Sequence, residues 1–322
     1  MLQQPEPGTT QRIGFLLLPK FSLMSLLSAI EPLRGANRTL GREAYSWHFF
    51  SADGAPVAAS NGIPIAPECA IEAVDAFPAV CVLASYDPLA SVDRRLCRWL
   101  RHLHRRGTEL GGFETGTLVL AEAGLLRGRR VTLHWETLEA FRETCLDTDA
   151  RESLYEIDGP IFTSSGATAP MDLMLHLIGQ HHSAAVATSV ADQFVHTEIR
   201  DAAARQRMAA DRRVGVSDPE LVRVTEAMEA NLEHPLTLGE LAQRCGLSRR
   251  RLQRLFERHM DEPPQRHYLR LRLERARHLL CHGDLPVHEV ALACGFGSAA
   301  YFARAYRAHH GHPPSAERGT AG

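Results

Sequence analysis

Between Leu236 and Ala316 one short pattern occurs twice, and that repetition limits what the end of the chain can be. In the first copy Leu238, Leu241, Ala242 and Cys245 fall at helical spacing. Gly246 follows, where the backbone must turn through a conformation that other residues resist. Ser248 then stands as an N-cap, and Leu252, Leu255 and Phe256 mark the inward stripe of a second helix. The opposite face of that helix carries Arg249, Arg250, Arg251, Gln253, Arg254 and Arg258. In the second copy Val287, Val290, Ala291 and Cys294 supply the first stripe and Gly295 the turn. Tyr301, Phe302, Ala305 and Tyr306 are expected on the inner face of the helix after it. A charged helix face is usually only solvated surface. A short helix, a glycine turn and an arginine-rich second helix together are the arrangement that lays a helix in a DNA major groove. Residues from Leu236 onward carry a net charge of +6 and those before it −8, which suits a polyanion at one end and another partner at the other. Lys20 is the only lysine, so arginine supplies almost all positive charge. That side chain fits bidentate contacts to phosphate and guanine, although a GC-rich genome gives the same bias.

Gln265 to Cys281, with Leu269, Leu273, Ala276 and Leu280 at helical spacing, joins the two copies. The block resembles the DNA-binding domain of the AraC/XylS family in residues 242–256, 271–280, 290–298 and 301–304, and in Pro313-Pro314. The resemblance implies that Arg250, Gln253 and Arg254 reach base edges from the first copy, with Ser248 and Arg249 at the mouth of the helix. In the second copy Ser298, Ala299, Ala300 and Arg304 hold the matching positions, and the small residues leave Arg304 as the main reader. It further implies double-stranded promoter DNA, RNA polymerase and a second copy of the chain as partners.

Upstream, short apolar runs alternate with helical stripes. Ile13–Leu18, Trp47–Ser51, Ala79–Ala84, Glu109–Gly112, Val131–His134 and Ile161–Thr163 read as strands. Leu23–Leu33 (Leu23, Leu26, Leu27 and Ile30 at helical spacing), Asp93–Arg106 and Thr117–Gly124 read as helices. Such alternation argues for a parallel sheet sandwiched by helices. The run Gly111–Arg130 sends a strand through a glycine-flanked turn straight into a helix, the geometry of a nucleophile elbow. With residues 14–22, 30–34, 51–54, 131–136 and 162–172, it resembles the DJ-1/PfpI branch of the class I glutamine-amidotransferase-like fold over about residues 12–185. The expected fold is therefore an α/β front domain and an all-α back domain with two helix-turn-helix units. The expected boundaries are a disordered tail at 1–11, a sensing domain at 12–187, a helix and linker at 188–217 and a DNA-binding domain at 218–318. Thr188–Arg207 reads as helix through Val190, Phe194, Val195 and Ile199, and Leu221–Leu232 turns Val222, Thr225, Met228 and Leu232 inward. This pairing of domains resembles a group of regulators, and within it those responding to glycine betaine or carnitine.

Enzymes of the DJ-1/PfpI branch place an activated cysteine at the elbow and an acid beside it. Here Glu114 takes the cysteine's place, and Phe21–Leu26 contains no acid. The resemblance therefore implies a binding site rather than a catalytic one. Glu114 is expected to remain ionised at a helix N-terminus and to anchor a small cationic or zwitterionic amine. Thr115, His134, Trp135, Phe21, Ser25 and Tyr86 are its expected neighbours, the aromatic faces suiting a quaternary ammonium group. Blander readings are a helix-stabilising Glu114, a core Trp135 and a structural His134. Rival functions are a DNA-tethered amidase or glyoxalase, and a regulator whose front domain only oligomerises. Seven cysteines without a C-x-x-C pair and seventeen histidines without a metal-ligand spacing point to no metal and no cofactor. No apolar run is long enough for a membrane span and residues 1–11 do not look like a signal peptide, so a cytoplasmic protein is expected.

Overall fold

Period-two alternation in the central strands builds the front of the molecule. The computed structural model describes residues 8–207, 218–282 and 285–319. In chain order the strands are β1 (Gln11–Leu17), β2 (Tyr45–Ser51), β3 (Val57–Ala58), β4 (Pro64–Ile65), β5 (Cys69–Ala70) and β6 (Ala79–Ala84). Then come β7 (Glu109–Glu114), β8 (Arg130–Val131), β9 (Asp149–Ala150), β10 (Tyr155–Asp158) and β11 (Ile161–Ser164). Seven of them form one sheet in the order β10-β11-β7-β6-β1-β2-β5. Its pairings are parallel except at the β10–β11 edge. Ile13, Phe15 and Leu17 enter one core while Leu16 enters the other; Cys81 and Leu83 likewise oppose Val80 and Val82.

Helices α1 (Leu23–Leu40), α2 (Arg94–Arg105), α3 (Gly116–Glu122), α4 (Trp135–Thr144), α5 (Ala169–His181) and α6 (Ala184–Gln193) cover both faces. Residues of α1, α5 and α6 share one core, and those of α2, α3 and α4 the other. The sandwich expected from the alternation is therefore present. Helix α1 is turned relative to its leucine stripe. Ser25, Leu26, Ser28 and Ala29 are buried, Leu27 is exposed, and Leu23 and Ile30 are half-buried. Small residues on the buried side let α1 lie close to α5 and α6.

The apolar stripe of residues 188–207 does not make one helix. Helix α6 ends at Gln193, and Val195 takes a positive φ of 54°, which no helix accommodates. Residues 194–206 instead run back along the front unit. Buried Asp172 on α5 accepts from the Arg200 backbone N–H (2.8 Å) and guanidinium (3.0 and 2.6 Å), and pairs with His196 Nε2 at 2.9 Å. Contacts divide the chain after Gln206. Of the expected tail, Gln11 already belongs to β1, while residues 1–7 lie outside the described residues, as do 208–217 of the expected linker.

The second unit holds α7 (Pro219–Glu229), α8 (Leu238–Arg244), α9 (Arg249–His259), α10 (Pro264–His282), α11 (Val287–Ala293) and α12 (Ala299–His310). Leu221, Val224, Thr225 and Met228 are the buried residues of α7; Val222, expected inward, is half-buried. Thr237 and Glu240 form a reciprocal capping box at the start of α8. No helix among the described residues is long and apolar enough to cross a membrane.

Candidate functional site

In the front unit the strand-to-helix turn is strained where chemistry would sit. Glu114 ends β7 with a φ of 54°, a left-handed conformation uncommon for a residue with a side chain. Two glycines make the turn possible. A Cβ on Gly116 would strike the carbonyl of Val82, and one on Gly112 would strike the backbone of Thr117. Thr117 Oγ1 then donates to the carbonyls of Thr132 (3.0 Å) and Gly112 (3.3 Å), fixing the start of α3. Thr115 Oγ1 donates to the Ser85 carbonyl at 2.7 Å.

The Glu114 side chain is enclosed, 9% exposed, and a Cβ on Gly166 would overlap it. Gly166 and Ala167, both at positive φ, carry the β11–α5 connection past the carboxyl group. Burial pushes the carboxyl up to about 7; the Ser85 hydroxyl, the Ala167 N–H and the Ser22 hydroxyl offset part of this, and Glu136 adds to it. Oε2 is buried without a hydrogen-bond partner. The expectation of a fully ionised Glu114 is therefore corrected. Desolvation is the dominant influence and holds the carboxyl well above the usual carboxylate range.

Ser25 belongs to the same corner, because its Oγ accepts from the Ala167 N–H at 2.8 Å and donates to Ser22 Oγ at 3.1 Å. His134 and Trp135 open α4 with ring centroids 5.6 Å apart, and His134 Nδ1 lies 3.6 Å from Glu136. Tyr86 is 54% exposed beside Ser85. Phe21 is wholly buried in the α1-side core, so its ring serves packing. Sequence reasoning missed Ser22, Ser85, Gly166, Ala167 and Glu136. Gly166 had a visible signal, a glycine two residues past the end of β11.

In the second unit Ser248 and Ser298 cap α9 and α12, accepting from the N–H groups of Arg251 and Tyr301. Arg249, Arg250, Gln253 and Arg254 are exposed on α9, as are Ala299, Ala300 and Arg304 on α12. Arg249 leans on α8, where a Cβ at Gly239 would meet its guanidinium. Arg251 is diverted to Glu220 at 2.8 Å. Tyr301, expected on the inner face of α12, is 47% exposed, while Phe302 and Tyr306 fill the core. It sits in the first helical turn, where the Phe296 ring already closes the core. Arg272 of α10 donates to the carbonyls of Cys294 (2.8 Å) and Gly295 (2.7 Å) and stacks over Phe296 at 4.1 Å. That clamp holds the second glycine turn to the connecting helix. Glu274, His309 and His310 approach one another as metal ligands could. His309 is spent on Glu274 at 2.8 Å, and His310 on the Leu273 carbonyl and the Tyr306 ring.

The geometry agrees with what the chain is similar to. The DJ-1/PfpI family matches residues 11–180 and a helix-turn-helix domain matches residues 241–320. The HTH-type transcriptional regulator CdhR of Pseudomonas aeruginosa is 49% identical over 309 residues, covering 96% of this chain and 92% of that protein. The HTH-type transcriptional regulator GbdR, also of Pseudomonas aeruginosa, is 43% identical over 314 residues, 98% of this chain and 86% of that one. In fold alone, the crystal structure of an AraC family transcriptional regulator from Pseudomonas putida matches with a TM-score of 0.52 at 24% identity, covering 57% of this chain and 99% of that one. The two matched domains account for most of the chain, and the similarity to these regulators runs along nearly its whole length: the chain belongs to the AraC-type transcriptional regulators that carry a DJ-1/PfpI domain ahead of their DNA-binding helices.

Proposed function

We propose that the front domain is a sensor for a small cationic or zwitterionic amine, that it performs no catalysis, and that its occupancy sets transcription from a promoter bound by the back domain. The observation that carries this is Glu114: a buried carboxyl with an unpartnered oxygen at the position where the fold exposes a reacting group. A carboxyl is a poor nucleophile for acyl chemistry, but a desolvated carboxylate holds a cation strongly. Thr115, Ser25, His134 and Trp135 would shape the site, with Tyr86 at its rim. A cytoplasmic activator that works as a homodimer with RNA polymerase fits this reading. The exposed Met24 and Leu27 on α1 offer apolar surface to a second copy.

Base reading is assigned to Arg250, Gln253 and Arg254 of α9 and to Arg304 of α12, with Ser248, Arg249, Ser298, Ala299 and Ala300 lining the contact. Calorimetric titration of glycine betaine, carnitine and simpler amines against wild type and Glu114→Gln tests the sensor. A cation binds the ionised form, so below the Glu114 pKa affinity should rise about tenfold per pH unit and level off above it. Equal binding to both proteins, or an effector that is an anion, would remove Glu114 from this role.

A further inference from the structure

The segment that leaves the front unit ends on the wall of the elbow site. Residues 194–206 are held along their length: the Ala202 carbonyl accepts from the Leu154 N–H at 2.8 Å, Ala202 and Ala204 pack on the core, and two side-chain holds of different kind stand at Arg200 and Gln206. The first is Asp172, fully buried, which takes the Arg200 guanidinium and backbone together with His196; Arg200 also donates to Thr168 Oγ1 at 2.9 Å. That hold is charged, multiple and rigid. The second is Gln206. Its amide Nε2 faces three acceptors, the Ser153 carbonyl (2.8 Å), the Leu133 carbonyl (2.9 Å) and Thr132 Oγ1 (3.1 Å), with only two hydrogens to give. Its Oε1 is buried without a partner, and turning the amide over would set that oxygen against two carbonyls. This hold is neutral and incompletely satisfied, which makes it weaker than the charged one at Asp172.

The place it grips is not incidental. The Thr132 carbonyl accepts from Thr117, the residue that fixes the start of the elbow helix. The Thr132 N–H donates to Thr163 Oγ1 of β11, the strand that leads to Gly166. Leu133 directly precedes His134 and Trp135. A ligand seated on Glu114 and reaching the start of α4 would bear on this strand end.

We propose that Gln206 is a positioning residue that couples the elbow site to the rest of the chain: ligand at the site shifts Thr132–Leu133 and releases Gln206, while Asp172 stays fixed as the hinge. This rests on the sensor reading above. The released length is short, because Arg200 and Ala202 remain anchored; what changes is whether the chain leaves the front unit from Gln206 or from the Ala202 contact with Leu154.

The test uses full-length protein and a DNA fragment it selects from a random pool, with glycine betaine and carnitine as probes. In wild type, effector should change operator affinity by roughly 5- to 100-fold, the usual range of such couplings. Gln206→Ala and Gln206→Glu should each shrink that response to about twofold or less, while calorimetric affinity for the amine stays within about threefold. Ala203→Ser, on an exposed position of the same segment, should leave the response intact. A full response in both Gln206 variants overturns the proposal. Should no amine bind wild type, the sensor reading fails and the coupling is judged without effector. Hydrogen exchange at residues 131–134 and 201–206, and operator affinity, should then both differ between wild type and Gln206→Ala; no change in either overturns the coupling as well.

Discussion

Glu114 makes a signed prediction about pH. Its folded pKa is raised from the ordinary 4.5 to about 7, so the folded state holds the proton more tightly than the unfolded chain. The stability this contributes is complete below about pH 4.5 and disappears as pH rises through 7. Relative to Glu114→Gln, wild type should lose on the order of 3 kcal/mol across that window, read from urea melts at pH 4.5, 6 and 8. Parallel curves for the two proteins would mean that the carboxyl is better solvated than its enclosure implies. Gly166→Ala should cost roughly 1–3 kcal/mol for its φ of 92° alone, and part of the added clash should vanish when Glu114 is shortened to alanine. The elbow was legible because strand, glycines and helix are neighbours in sequence. Its lid was not, because Gly166 and Ala167 come from a distant connection, and desolvation is a property of enclosure that no local pattern carries.

At the level of elements, the recognition helices were the easiest to read and α6 the hardest. Buried Leu252, Leu255 and Phe256 repeat at a period that leaves Arg250, Gln253 and Arg254 outward, so pattern and structure coincide. Arg254→Ala and Arg304→Ala should each cost about 1–3 kcal/mol on the selected operator and much less on random DNA, as seen in gel-shift titrations. Equal losses on both DNAs would show contacts to phosphate only. Tyr301 escaped the same reasoning, since an aromatic in the first turn of a helix satisfies the spacing whether or not core remains to receive it. The end of α6 was hidden for another reason. Val195 and Ile199 continue a helical stripe, but Asp172 recruits Arg200 through its backbone as well as its side chain, and that competition is tertiary. Arg272→Ala removes the clamp on the second glycine turn. It should lower the melting point of the whole back unit while leaving the α9 contacts to DNA in place until melting begins.

Over the whole molecule, the parallel sheet followed by paired helix-turn-helix units was visible from the alternation of strand and helix signals, and then from the repeat. Two recognition helices linked by the single helix α10 should occupy successive major grooves about 10 base pairs apart on one DNA face. Hydroxyl-radical footprinting of one protomer checks this, and protection limited to a single half-turn would contradict it. Modular proteins of this kind invite recombination, natural or deliberate, and the buried Asp172 decides where a hybrid gene can be joined. A chimera spliced after residue 187 would inherit that carboxylate without Arg200 or His196, and a buried charge left unpaired typically costs about 3–5 kcal/mol. A splice placed after Gln206 keeps the charge neutralised and carries the graft intact. Front domains exchanged at that joint should keep their stability beside foreign DNA-binding partners, and those exchanged after residue 187 should lose most of it.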